Sequence, residues 1–196
     1  MKRILISILA LGFACGLASA QQAGHDDIEV DASVGLQALF GRSERLLVGN
    51  ESIGRELGFG ATLSAMKYFS LVKGEKPVFG AGLAVSVPAK VRGTLDGAYA
   101  VQARLAWRTV QTYSSAEGKL DFNPFLHAGY VFSGKGGAFG FGAGLKFLYD
   151  ISGDMYLCAS TSMSIFGAKA VYGNMQAYPK ATVYGLDAVI GLGYRF

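Results

Sequence analysis

Cysteine and proline are scarce, with two and four residues respectively in a chain of 196. Cys15 falls at the edge of an N-terminal apolar stretch that reads as a leader, so Cys158 is the single cysteine of the remaining chain and no internal disulfide can form there. Charge is thin as well: 16% of residues are charged, and the formal net charge of +4 falls by two once Lys2 and Arg3 are set aside. Without a basic run interleaved with aromatics, the nucleic-acid-binding class is excluded. The apolar stretch from Ile4 to Ala14 is about eleven residues, short of the ~20 that a membrane-spanning helix requires.

That stretch has a different use. Lys2 and Arg3 precede it, and Ala18-Ser19-Ala20 supplies small residues before Gln21. The arrangement reads as a secretory signal peptide over residues 1–20, leaving 21–196 as one β domain with no linker or second module. Cys15 allows a second reading as an acylated lipoprotein start, but Gly12 occupies the position where lipoprotein signals favour Leu.

The abundant residues are glycine (28 of them) and apolar ones (51%), and they alternate. In the last segment Tyr184, Leu186, Ala188, Ile190, Leu192, Tyr194 and Phe196 fall on one face; Gly185, Asp187, Val189, Gly191, Gly193 and Arg195 fall on the other. Side chains in a strand switch faces at every residue, so this is a strand with one bulky apolar face and one small or polar face. The same pattern recurs over 28–40, 57–66, 79–88, 99–108, 120–132, 139–149 and 156–166. Eight strands result, each long enough to cross a bilayer when tilted. An even number closes the sheet with both termini on one side. The expected fold is all-β: an eight-stranded antiparallel up-and-down transmembrane β-barrel. A soluble barrel would place the Gly-, Ala- and Ser-rich face in water, where it makes a poor surface. Aromatics near the strand ends suit the headgroup level of a membrane. With periplasmic termini, the longest external loops fall at 41–56 and 167–182, and polar turns at 71–76 and 150–154.

The run from Asn123 to Tyr130 (NPFLHAGY) followed by Phe139 to Phe147 (FGFGAGLKF) resembles the fifth and sixth strands of the small outer-membrane barrels grouped around OmpA and OmpW. The resemblance implies a bacterial outer-membrane location with loops at the cell surface, among lipopolysaccharide or other outer-leaflet lipid. It also implies that Ile190, Leu192, Tyr194 and Phe196 form the C-terminal signal handled by periplasmic chaperones and the barrel assembly machinery. The tethering role that a peptidoglycan-binding domain gives full-length OmpA is not expected of a chain read as a barrel alone, and the N-terminal motif typical of OmpW is not seen.

Catalysis and cofactors find no support in the sequence. Small barrel lipid-A deacylases pair His-x-Ser with a carboxylate to activate a serine, whereas Ala128 and Gly129 follow His127. His25 beside Asp26 and Asp27 reads as a solvated tail rather than a metal site. The Gly-x-Gly pairs do not lead from a strand into a helix, so they are not phosphate cradles. The chain is therefore expected to be no enzyme and to need no metal or cofactor.

The lumen is where function is expected. Glu29, Asp31, Arg104, Arg108, Asp121, Lys146 and Arg195 point inward in the periplasmic half and should pair, plugging a bore just wide enough for side chains. The external half, with Gly58, Gly60, Gly80, Gly82, Ala100, Gly129, Ser162 and Ser164, reads as a blind pocket for small, weakly polar or hydrophobic solutes. Pro88 cannot donate to a ladder and marks a candidate lateral exit toward the bilayer. The competing class is a structural protein or adhesin whose external loops, such as that carrying Arg42, Glu44, Arg45 and Arg55, touch host surface molecules. Signal-less protein in plain buffer is expected to stay unfolded by circular dichroism and to gain its β spectrum only with detergent or lipid; a stable detergent-free monomer would reverse inside and outside.

Overall fold

The computed structural model describes residues 28–42, 53–70, 78–91, 99–108, 113–115, 118–133, 136–152, 154–167 and 182–196. The leader expected at 1–20, most of the loops expected at 41–56 and 167–182, and the turn expected at 71–76 lie outside them. The strands are β1 (Ile28–Arg42), β2 (Ile53–Phe69), β3 (Phe79–Val91), β4 (Tyr99–Trp107), β5 (Tyr113–Ser115), β6 (Gly118–Ser133), β7 (Gly136–Ser152), β8 (Met155–Gly167) and β9 (Thr182–Arg195). β5 is a three-residue strand that pairs only with the start of β6; the alternation gave no sign of it. The other eight are antiparallel neighbours in chain order. β4 pairs with β6, and β1 pairs with β9, so the sheet closes on itself.

Several strands run past the segments expected from the alternation, most clearly β2 and β7. Ladder pairing needs only neighbouring backbones, so it continues beyond the point where the apolar face stops. β7 reaches Ser152 and β8 starts at Met155, which takes Asp150 out of the expected turn and puts it in a strand, beside a register shift between Asp150 and Ser152.

The register fixes the shape. Pairing passes from Glu29 to Met66, Gly82, Arg104, His127, Gly142, Ser164 and Gly185, and returns to β1 at Leu39, ten residues along from where it began. That stagger tilts the strands and sets a narrow bore for side chains to fill.

Outside, the bulky face of each strand is exposed: Val34, Leu83, Leu126, Ile190 and Leu192 lie between two belts of aromatics. Near the termini Phe69, Phe79 and Trp107 stand in cross-strand register, with the Phe79 and Trp107 rings 5.8 Å apart edge to face. At the far end Tyr99 stacks on Phe132 at 4.9 Å, and Tyr130 packs against Phe132 at 4.7 Å. An aliphatic band between aromatic girdles is a surface for lipid, with headgroups at each girdle.

Inside, rings and Met66 are matched to glycine across several ladders. Tyr68 faces Gly80, Met66 faces Gly82, Phe125 faces Gly144, Tyr156 faces Gly193 and Phe166 faces Gly140. A Cβ on Gly80 would stand 2.6 Å from Tyr68 Cε1, and one on Gly193 would run into the Tyr156 ring. The glycines let rings lie flat on the wall of a bore with no room for two side chains abreast. Gly80→Val is expected to destabilise the barrel by about 1–3 kcal/mol through overpacking. Urea unfolding in detergent should show a smaller cost in the Tyr68→Ala background; strict additivity would mean that ring and glycine are not coupled.

Candidate functional site

At the end of the barrel that carries the termini, inward charges converge because strands that are distant in sequence meet across the bore. Glu29, fully buried at the start of β1, receives Arg108 Nη2 at 2.9 Å and Arg195 Nε at 3.4 Å on Oε1, while Lys146 Nζ lies 3.7 Å from Oε2. Asp31 is held by Lys146 Nζ and by the Ser64 hydroxyl, each at 2.6 Å. Arg195 also reaches Asp121 at 3.2 Å and Asp150 at 2.6 Å.

Two tyrosines complete the layer. The Arg108 guanidinium lies 3.9 Å above the Tyr68 ring and Arg195 lies 5.1 Å above Tyr156, whose hydroxyl donates to Val30 O. Cations on aromatic faces keep part of their electrostatic partner where water is excluded. Met66, Leu148, Phe125 and Cys158 fill the neighbouring space.

Of the seven charges expected in the lumen, six meet here. Arg104 does not: four residues before Arg108, which follows the end of β4, it sits roughly 13 Å farther along the chain's path up the wall. There its Nη2 donates to Gln102 Oε1 at 3.3 Å, and its guanidinium covers the Phe125 ring at 4.8 Å. Asp150 takes its place, so the cluster holds four acids and three bases among the described residues. Tyr68 lay just beyond the expected second segment and Asp150 in an expected turn. Extending the alternation by two residues would have placed Tyr68 inward.

Above this layer the lumen changes. Inward-facing Gln37, Ser86, Gln102, Arg104, Ser164 and Asp187 keep partial solvent exposure, whereas Glu29, Tyr68, Asn123, Leu148 and Tyr156 below have almost none, and Val183, Phe166 and Ala138 at the far rim are again buried. The glycines Gly80 and Gly82, expected in the upper region, belong to the lower one. β3 begins at the termini end, and both glycines back onto side chains of β2.

Hydroxyls dominate the middle level. Ser162 donates to Asp187 Oδ2 at 3.1 Å, Thr62 and Ser86 hydroxyls meet at 3.0 Å, and His127 Nε2 lies 3.0 Å from Ser164 Oγ. His127 Nδ1 has no hydrogen-bond partner, so no carboxylate orients the ring as in a Ser-His-Asp triad. Among the described residues no cluster of His, Cys, Asp and Glu could hold a metal ion.

The remaining expected residues lie elsewhere. Pro88 pairs through its backbone with Gly60, next to a register shift between Phe59 and Gly60. Ile190, Leu192 and Tyr194 face outward, Tyr194 donating from its hydroxyl to Asp154 at 3.0 Å, while Phe196 pairs through its backbone with Ile28. His25 lies outside the described residues.

No protein-family model and no curated protein matches the chain. Solved structures do. Neisserial surface protein A (NspA) is 14% identical with a TM-score of 0.55, over 89% of this chain and 100% of its own. Ail, the attachment invasion locus protein of Yersinia pestis, gives 14% identity and a TM-score of 0.40, over 87% of this chain and 99% of its own. The outer membrane protein OprG from Pseudomonas aeruginosa gives 13% and 0.43, over 88% and 98%. The likeness to NspA establishes the fold: a small eight-stranded transmembrane β-barrel.

Removing the shared acceptor should cost more than removing a rim acid. Glu29→Gln removes the one charge that Arg108, Lys146 and Arg195 share and is expected to lower stability by about 3 kcal/mol. Asp121→Asn, at the more open edge, should cost about 1 kcal/mol or less. Urea titrations of the refolded variants in detergent compare the two; equal costs would show that Glu29 is not the keystone.

Proposed function

We propose that this barrel sits in a bacterial outer membrane with the far end of its lumen open to the cell surface as a blind vestibule. It admits small, weakly polar or hydrophobic molecules, and the charge cluster bars their passage to the periplasm. The observation that carries this reading is the partial exposure of the inward residues Gln37, Ser86, Gln102, Arg104, Ser164 and Asp187 above the buried layer of Glu29, Tyr68 and Tyr156; Val183, Phe166 and Ala138 are buried at the far rim and narrow the entrance. The outward apolar band between aromatic girdles supports the membrane location, and the resemblance of the strand patterns to known outer-membrane barrels supports the choice of membrane.

A solute stopped by the cluster leaves sideways. The seam between β2 and β3 supports this route, for its register slips at Phe59/Gly60 opposite Pro88. On the lipid side an apolar groove of about 580 Å³ runs beside that seam, lined by Ala61, Leu63, Val85 and Val87 together with residues of β1 and β9. A proline at an irregular point of the ladder removes one donor from the pairing that any lateral opening must break.

Two measurements on purified, refolded protein test the proposal. Planar bilayers should show no sustained open-channel current, and vesicles carrying the protein should take up a small hydrophobic solute faster than empty ones. Pro88→Val should slow that uptake; a steady ohmic current, or uptake no faster than lipid alone, would overturn the vestibule, and unchanged uptake by Pro88→Val would retire the lateral route.

A further inference from the structure

Each lumenal cation in the lower cluster touches a carboxylate, and each acid there touches a cation. The middle level breaks this rule. Arg104 is drawn electrostatically first to Asp31, which Lys146 already holds, and then to Asp187, yet neither Arg104 nor Asp187 makes an ion pair among the described residues. Each is held instead by a neutral neighbour on its own side of the bore. Gln102 accepts from Arg104 across two residues of β4, and Ser162 of β8 donates to Asp187 of β9. Phe125 supports the guanidinium from beneath, and Gly144 leaves room for that ring.

The closed sheet keeps the two charges apart. Register places Arg104 on β4 and Asp187 on β9, well separated around the barrel. Both side chains are half-buried on the open side of the seal. Arg104 Nε has no hydrogen-bond partner. A guanidinium and a carboxylate that face one space without touching leave each other's attraction unspent, at a cost that a ligand spanning them removes.

We infer that Arg104 and Asp187 form a binding subsite at the floor of the vestibule for a short organic carboxylate carrying a hydrogen-bond donor at its other end. The ligand's carboxylate meets the Arg104 guanidinium, the geometry best suited to a planar donor fork. Its donor meets Asp187, whose Oδ2 already accepts from Ser162. His127 and Ser164 stand at the same level and offer neutral hydrogen-bonding groups between the two ends. The inference rests on the reading that the upper lumen is open, and it narrows the admitted molecules to those with one charged end.

The test is a calorimetric or NMR titration of the refolded full chain in detergent with 3-hydroxypropanoate, propanoate and propan-1-ol. Saturable binding is expected in that order of strength. Arg104→Gln should weaken 3-hydroxypropanoate by about tenfold or more, loss of a charge-assisted contact, and Arg104→Lys should restore part of it. Asp187→Asn should erase the preference over propanoate while leaving propanoate itself bound. Circular dichroism and heat-modifiable mobility confirm closure of each variant. Should Arg104→Gln not refold, Asp187→Asn alone decides by its effect on that preference. No saturation of the folded wild type, or a ranking that neither variant changes, overturns the subsite. Vesicle uptake separates this from the broader reading. Binding without uptake keeps the subsite and removes passage, whereas uptake that Arg104→Gln does not alter does the reverse.

Discussion

The seam between β1 and β9 is the constraint on which the rest of the barrel depends. In hydrocarbon no water satisfies a backbone amide, so a sheet can stay there only if its two edges find each other. Here they do so over the whole length of both strands, and the last residue pairs back to the first strand, with Phe196 N 2.9 Å from Ile28 O. Once eight strands close with a ten-residue stagger, the bore is fixed, and everything inside must fit a space one side chain deep.

That narrowness explains two features of the interior together. Rings are accommodated opposite glycine, as Tyr68 is opposite Gly80 and Tyr156 opposite Gly193. Charges brought into such a space lose their water and must find each other. β1 contributes Glu29 and Asp31; Arg108 just after β4 and Lys146 on β7 reach them across the bore, and Arg195 reaches Glu29 from the neighbouring β9. Desolvation of a buried pair offsets much of its attraction, so the cluster is better understood as a seal whose members depend on one another than as a large net source of stability.

Above the seal the walls carry mostly glycine, serine and threonine, and the charges there lean on neutral groups instead of on one another. There Arg104 rests on Gln102 and Phe125, and Asp187 on Ser162. The lumen thus divides into an ion-paired lower layer and a middle level whose charges rest on neutral groups, and the proposed function depends on that division.

Much of this was legible in the chain. The eight strands, their inward and outward faces and the aromatic girdles follow from a period of two, because lipid outside and a closed bore inside impose opposite demands on alternate residues. Six inward charges could be named from that alternation alone. What it could not supply was height: a residue's level in a tilted, staggered barrel depends on register with its neighbours. Only the closed sheet therefore put Gly80 and Gly82 low, brought Asp150 and Tyr68 into the seal and left Arg104 above it. The sequence determined which way each side chain points, since that is local stereochemistry; the tertiary structure decided which side chains meet, since partners such as Glu29 and Arg195 are brought together only by closure.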